Sequence, residues 1–212
     1  MIKNLVFDFG GVLLDLRPDR CIDQFCAIGI PKIKDLLGLA HQQGPLGDLE
    51  RGELTLKQFC NEMRAFCDAE QTVLPTDRQI VQAFCSMADG IPAYRLDFLQ
   101  TLKDEGFSVS ALSNTNTAHW GYCQRYFIEC GYVPEELFEH LWLSCEMGLS
   151  KPDPAIFRAI LEDSGYLPGE TLFIDDNAEN CRIAETCGIH SLCVPIRSDW
   201  SQQLREKLRS IL

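Results

Sequence analysis

The sequence predicts an α/β fold, a parallel and doubly wound sheet that carries an all-helical insertion directly after its first strand. Three observations predict it. Short, mostly apolar runs recur along the chain. Helical patterns that stop at glycine lie between them. One long stretch near the N-terminus breaks this alternation and holds helical patterns only. Apolar runs of strand length suit a sheet covered on both faces, and strands alternating with helices imply parallel crossovers.

The first strand is read over residues 3–8, an apolar run that ends on Asp8 and is followed by Gly10 and Gly11. The insertion comes next, at 17–90, with helical patterns at 20–28, 32–39, 55–67 and 76–87 and no convincing strand. A simple crossover needs only about a dozen residues, so this stretch is more than a connection. A helix over 93–105 has Leu96, Leu99 and Leu102 on one stripe and stops at Gly106. The second strand, 107–112, leads into Ser113 and Asn114, and a helix over 117–130 ends at Gly131. The third strand is read at 141–144. The helix Pro154–Ser164 has Asp153 as its N-cap, proline at its first position and Gly165 after its end. The fourth strand, 171–174, ends on Asp175 and Asp176; a helix over 177–187 stops at Gly188. The fifth strand spans 189–194, and an amphipathic helix over 200–212 completes the pattern. The division expected is a sheet-bearing core at 1–16 and 91–212 with a helical cap at 17–90.

Composition narrows the function classes. The 212 residues are 46% hydrophobic and 24% charged, with a net charge of −12. Nucleic-acid binding wants a basic face, so it is not expected. No apolar run approaches the roughly 20 residues that cross a bilayer, and the first residues lack the long apolar stretch of a signal peptide. A cytoplasmic location, no membrane partner and a monomer or weak homodimer are expected. The eleven cysteines include no Cys-x-x-Cys pair, and are read as buried, reduced thiols acting as small apolar residues. His41, His119, His140 and His190 show no ligand-like spacing and are read as structural or surface residues. Phe59 and Phe66, at helical spacing, are read as core of the insertion; Trp120 suits core packing or the wall of a cleft.

In open α/β sheets ligands sit beyond the carboxyl ends of the strands, near the point where strand order reverses. Asp8, Ser113, Asn114, Asp175 and Asp176 all fall at such ends, so the sequence predicts one converging site. Lys151 joins them from a loop that Pro152 and Pro154 fix and that leads into a helix. These residue types fit one reaction. A carboxylate can attack phosphorus to form an acyl-phosphate that water then cleaves. A Mg²⁺ ion held by Asp8 and Asp176 would screen the repulsion between carboxylate and phosphate dianion. Ser113, Asn114 and Lys151 would bind the phosphoryl oxygens.

Four segments carry a resemblance: Phe7-Asp8-Phe9-Gly10-Gly11-Val12-Leu13, Leu112-Ser113-Asn114, Lys151-Pro152-Asp153-Pro154 and Phe173-Ile174-Asp175-Asp176-Asn177. In this order they resemble the motifs of the haloacid dehalogenase superfamily. The insertion resembles the helical cap of the subfamily whose cap follows the first motif, and Leu49-Glu50-Arg51-Gly52-Glu53-Leu54-Thr55 resembles a common cap turn. The nearest look is to bacterial sugar phosphatases of the glucose-1-phosphatase type. The resemblance implies sheet order 5-4-1-2-3, Asp8 as nucleophile, and a Mg²⁺ cofactor on Asp8, Asp176 and the Gly10 carbonyl. Asp175 would be a ligand or hold a metal-bound water. The substrate implied is a small phosphorylated metabolite, with sugar phosphates among the candidates.

The chain departs from the family in one place. Most of its phosphatases carry a second aspartate two residues after the nucleophile, as proton donor to the leaving oxygen. Here that position is Gly10. Three explanations stand: a leaving group that needs less help, such as an anomeric oxygen; a substitute donor, with Asp15, Glu50 and Glu53 as candidates; or a slow or inactive enzyme. Two other functions are weighed. Metal-independent 2-haloacid dehalogenases use the same aspartate but need no acidic pair such as Asp175-Asp176, and a non-catalytic phosphate-binding protein would not need both Asp8 and Lys151.

Overall fold

The chain is described by a computed structural model over residues 1–38, 43–68, 70 and 72–211. Its first strand, β1 (Asn4–Phe7), is buried along its whole length. In chain order there follow β2 (Asp15–Leu16), α1 (Pro18–Ala27), α2 (Ile33–Gly38), α3 (Gly44–Glu50), α4 (Leu56–Arg64), α5 (Asp77–Cys85), β3 (Ala88–Gly90), α6 (Ala93–Asp104), β4 (Ser108–Ser113), α7 (Thr117–Glu129), α8 (Pro134–Leu137), β5 (Leu141–Leu143), α9 (Ser144–Met147), α10 (Pro154–Ser164), β6 (Thr171–Asp175), α11 (Ala178–Thr186), β7 (His190–Cys193) and α12 (Ser201–Ser210). His41, read as structural from the sequence, lies outside the described residues.

Five of these strands form one parallel sheet in the order β5-β4-β1-β6-β7. Numbered among themselves along the chain and read from the β7 edge, this is 5-4-1-2-3, as expected. The strands are apolar on both sides because both sides are covered. Leu5 and Phe7 of β1, Val109 and Ala111 of β4, and Leu172 and Ile174 of β6 face one layer with α6, α7 and α12. Val6, Leu112 and Phe173, the residues between, face the opposite layer with α10 and α11. This period of two decides which side chains reach each core.

Helices α1 to α5 bury a core of their own, in which Phe25, Phe59, Met63, Ile80 and Phe84 meet. Phe59 lies within that core and Phe66 packs partly buried against it, as the sequence indicated. Thr55 with Gln58 and Thr76 with Gln79 form capping boxes that start α4 and α5. The helices enter and leave through one ribbon. β2 pairs antiparallel with β3, and Arg20 donates to the Ser86 and Ala88 carbonyls at 2.6 and 2.9 Å.

The sequence reading did not include β2, α8 or α9, and two further features differ from it. β3 is a strand in a stretch read as strand-free; with three residues and one fully buried side chain it is too short to show periodicity. Helix α3 occupies a segment with no predicted helix, since Gly44, Pro45 and Gly47 mark turns locally. Proline costs little in a first helical turn, and burial of Pro45, Leu46, Gly47 and Leu49 favours the helix. Trp120 packs against Phe9 and Phe127. The eleven cysteines are free thiols. Among the described residues no helix is long and apolar enough to cross a membrane.

Candidate active site

The sheet brings the predicted site residues to one end. Asp8 follows β1, and its N–H continues the ladder by donating to the Ile174 carbonyl at 2.8 Å. Ser113 and Asp175 are the last residues of β4 and β6, and Asp176 comes next. Lys151, 2% exposed, reaches in from the loop before α10. Its Nζ donates to Asp8 Oδ1 at 2.5 Å, to Asp175 Oδ2 at 2.9 Å and to the Leu112 carbonyl at 3.1 Å.

The loop that carries Lys151 is clamped by Asn114. The Asn114 amide donates to the Lys151 carbonyl at 2.8 Å, and its Oδ1 accepts from the Lys151 N–H at 2.9 Å. This side chain thus positions the lysine, a task its place beside Ser113 did not reveal. Asp175 is held from several directions. Its Oδ1 accepts from the Asn177 N–H at 2.7 Å, and Asn180 Nδ2 donates to both of its oxygens at 3.1 Å. Asn180 was not read from the sequence. Its position five residues after Asp175, on the first turn of α11, is the signal that could have found it.

Burial raises the Asp8 pKa to about 7; Lys151 opposes the rise and Asp175 adds to it. Asp176 is also raised, by burial and by Asp175. For Lys151, burial disfavours the charge, but Asp175 and Asp8 outweigh it and the pKa ends above the ordinary value. The site therefore gathers three carboxyl groups around one ammonium, and burial with this crowding raises Asp8 and Asp176 above the ordinary range.

Asp8, Asp175 and Asp176 each place an oxygen within 4.8 Å of the others. The all-oxygen donor set suits a hard divalent cation such as Mg²⁺ rather than zinc. Gly11 leaves room for the arrangement. A Cβ there would stand 2.7 Å from the Asp176 carboxylate carbon, and its φ of +86° is one that glycine adopts freely. The residues present fit a magnesium ion.

Above these groups lies a cavity of about 480 Å³. Asp8, Gly10, Ser113, Asn114, Lys151 and Asp176 line it from the sheet, and Leu37, Leu46, Glu50, Phe84 and Met87 from the helical insertion. His119 also lines it, although the sequence reading placed it in structure or at the surface. Its two ring nitrogens lie 3.3 Å from Asn116 Nδ2 and 3.1 Å from the Phe84 carbonyl, and burial lowers its pKa to about 4. It is a neutral imidazole tying α7 to α5, so its structural role stands alongside its place in the wall.

The fold and this strand-end constellation define a hydrolase class. The description "haloacid dehalogenase-like hydrolase" matches residues 2–188, and the chain belongs to this family. It is 33% identical over 212 residues, 99% of this chain and 100% of the relative, to a D-ribitol-5-phosphate phosphatase of Bacteroides thetaiotaomicron. A HAD family enzyme from Bacteroides thetaiotaomicron, crystallised in complex with magnesium and inorganic phosphate, superposes with a TM-score of 0.88 at 38% identity. That match covers 97% of this chain and 100% of the other. An L-2-haloacid dehalogenase from Xanthobacter autotrophicus is 16% identical with a TM-score of 0.65, covering 100% of this chain and 85% of the other, and shares the fold.

Proposed function

We propose that this hydrolase is a Mg²⁺-dependent phosphatase of small phosphate esters, with a sugar or sugar-alcohol phosphate as substrate and Asp8 as nucleophile. The observation that carries the reading is the contact of Lys151 with Asp8 and Asp175, beside a third carboxylate, beneath a cavity. The relative acting on D-ribitol 5-phosphate and the relative crystallised with magnesium and phosphate support the substrate class and the metal.

The roles follow from placement. Asp8 Oδ2, the oxygen not bonded to Lys151, attacks phosphorus and forms an aspartyl-phosphate, which water hydrolyses. Lys151 holds the Asp8 carboxylate in the charged, nucleophilic form and offers its ammonium to a phosphoryl oxygen. Ser113 and the backbone of Asn114 bind the remaining oxygens. Asp8, Asp176 and the Gly10 carbonyl would hold Mg²⁺, with Asp175 as a ligand or through a water, and the bound ion would supply positive charge against the phosphoryl group. Residues 17–90 act as a cap over the core of 1–16 and 91–212, and exclude bulk water from the cavity.

The test is a panel of small phosphate esters, D-ribitol 5-phosphate among them, assayed with and without Mg²⁺ beside Asp8→Asn. Mg²⁺-dependent phosphate release, lost in the variant, is expected. Equal turnover in Asp8→Asn, or release of halide from 2-haloacids without metal, overturns the reading. Phosphate binding without turnover of any ester would make the chain a binding protein.

A further inference from the structure

Three carboxylates were candidates for the proton donor that Gly10 cannot supply, and their surroundings separate them. Asp15 is paired with the buried guanidinium of Arg95 at 2.9 Å. Glu53 is exposed and paired with Arg51 at 2.9 Å. Glu50 lines the cavity, and its Oε2 is sealed from solvent with no hydrogen-bond partner among the described residues. A buried polar atom left without a partner costs free energy unless something else satisfies it. The residue that carries this unpartnered oxygen stands in the wall of the substrate cavity.

The backbone that carries Glu50 is fastened to the sheet side of that cavity. The Ser144 hydroxyl donates to the Glu50 carbonyl at 2.6 Å and accepts from the Thr115 N–H at 2.9 Å. Two residues on, Gly52 turns with φ of +70° directly against the Cys145 carbonyl, so close that a Cβ would overlap it. Arg51 is drawn aside, to Asp48 at 2.5 Å and to Glu53. The turn thus holds a cavity-lining carboxyl on a backbone fastened at Ser144 and Cys145.

We propose, resting on the phosphatase reading above, that Glu50 is a catalytic residue that donates its proton to the leaving ester oxygen. Asp8 Oδ2 forms its bond to phosphorus as the bond from phosphorus to the ester oxygen breaks. The electron pair goes to that oxygen, and the Glu50 proton converts it to an alcohol. In the second half-reaction water attacks the aspartyl-phosphate and gives a proton to the Glu50 carboxylate. Inorganic phosphate leaves, and Asp8 and protonated Glu50 are restored. Burial above all, with Asp8 adding to it and Arg51 and Lys151 opposing, raises the Glu50 pKa to about 8, so the proton is present near neutral pH.

The experiment is single-turnover kinetics of the full chain with Mg²⁺ on two esters, in wild type and Glu50→Gln. An alkyl phosphate has a poor leaving group and needs the proton; p-nitrophenyl phosphate leaves as a stable phenolate and does not. The first turnover of the alkyl ester should fall about 100-fold or more in the variant, while the p-nitrophenolate burst keeps its rate, which also reports a folded site. Equal losses on both esters, or no loss on the alkyl ester, overturn the proposal while the phosphatase reading stands. If wild type turns over neither ester nor any other of the panel, it is the phosphatase reading that fails.

Discussion

Lys151 places its ammonium 2.5 Å from Asp8 Oδ1, in a position 2% exposed to solvent. The same nitrogen reaches Asp175 Oδ2, so one cation stands between two buried carboxylates that would otherwise repel each other. The site is thus part of the molecule's stability as well as of its chemistry.

Lys151→Met leaves both carboxylates buried without their cation. Breaking a buried pair from one side typically costs about 3–5 kcal/mol. Urea unfolding without metal should show a loss of that size, together with loss of phosphatase turnover. A variant of unchanged midpoint would mean that solvent or rearrangement already satisfies Asp8 and Asp175.

Stability of the metal-free chain should fall as pH rises. Burial, the largest cause at each, raises Asp8 from 3.8 to about 7 and Glu50 from 4.5 to about 8. Between those limits the folded chain binds more protons than the unfolded one, so unfolding becomes easier with increasing pH. The thermal midpoint in a chelator should drop between about pH 5 and about pH 8. Asp8→Asn removes the lower part of that slope and Glu50→Gln the upper part. A midpoint that rises over this range contradicts both assignments.

Gly11→Ala should damage the metal site selectively. The added Cβ meets the Asp176 carboxylate and takes a left-handed backbone conformation. Such strain costs about 1–3 kcal/mol, and relief comes by displacing Asp176. Calorimetric titration with Mg²⁺ should show affinity weakened by about tenfold, the equivalent of about 1.4 kcal/mol. Unchanged Mg²⁺ affinity would remove Asp176 from the ligand set.

Gly52→Ala should act on the ester rather than on the phosphoryl group. The Cβ pushes the turn off the Cys145 carbonyl and moves Glu50 with it. First-turnover rates on alkyl phosphates should fall about tenfold or more, in line with a misplaced proton donor, with the p-nitrophenolate burst retained. Parallel loss on both esters would show that the turn serves closure of the cavity instead.

Much of this arrangement was legible because its chemistry sits where strands end. Asp8, Ser113, Asp175 and Asp176 each close an apolar run, and a parallel sheet carries such ends to one side. The five strands of the sheet read correctly from their apolar runs, and their order followed from the family resemblance. The Asn114 clamp on Lys151 did not, since it joins residues far apart in sequence through a loop whose path periodicity does not describe. Helix α3 was hidden by its own glycines and proline, and β2 and β3 by their brevity. Glu50 could be named among three candidates, but only its unpartnered oxygen and the fastened turn at Ser144 separate it from Asp15 and Glu53.

The ribbon of β2 and β3 has a consequence for how such a protein diversifies. Both passages of the chain between the sheet and the helical insertion run through two adjacent strands, stitched by Arg20. Beyond that seam α1 to α5 bury a core of their own, and α5 meets α7 where His119 reaches the Phe84 carbonyl. Genes can therefore lengthen, shorten or exchange the helices without disturbing the machinery that handles phosphate. Leu37, Leu46, Phe84 and Met87 can drift toward new guests while Asp8 and Lys151 stay unchanged. The fastened turn at Glu50 and the Phe84 carbonyl that His119 reaches are parts of the insertion that such an exchange would have to carry over intact.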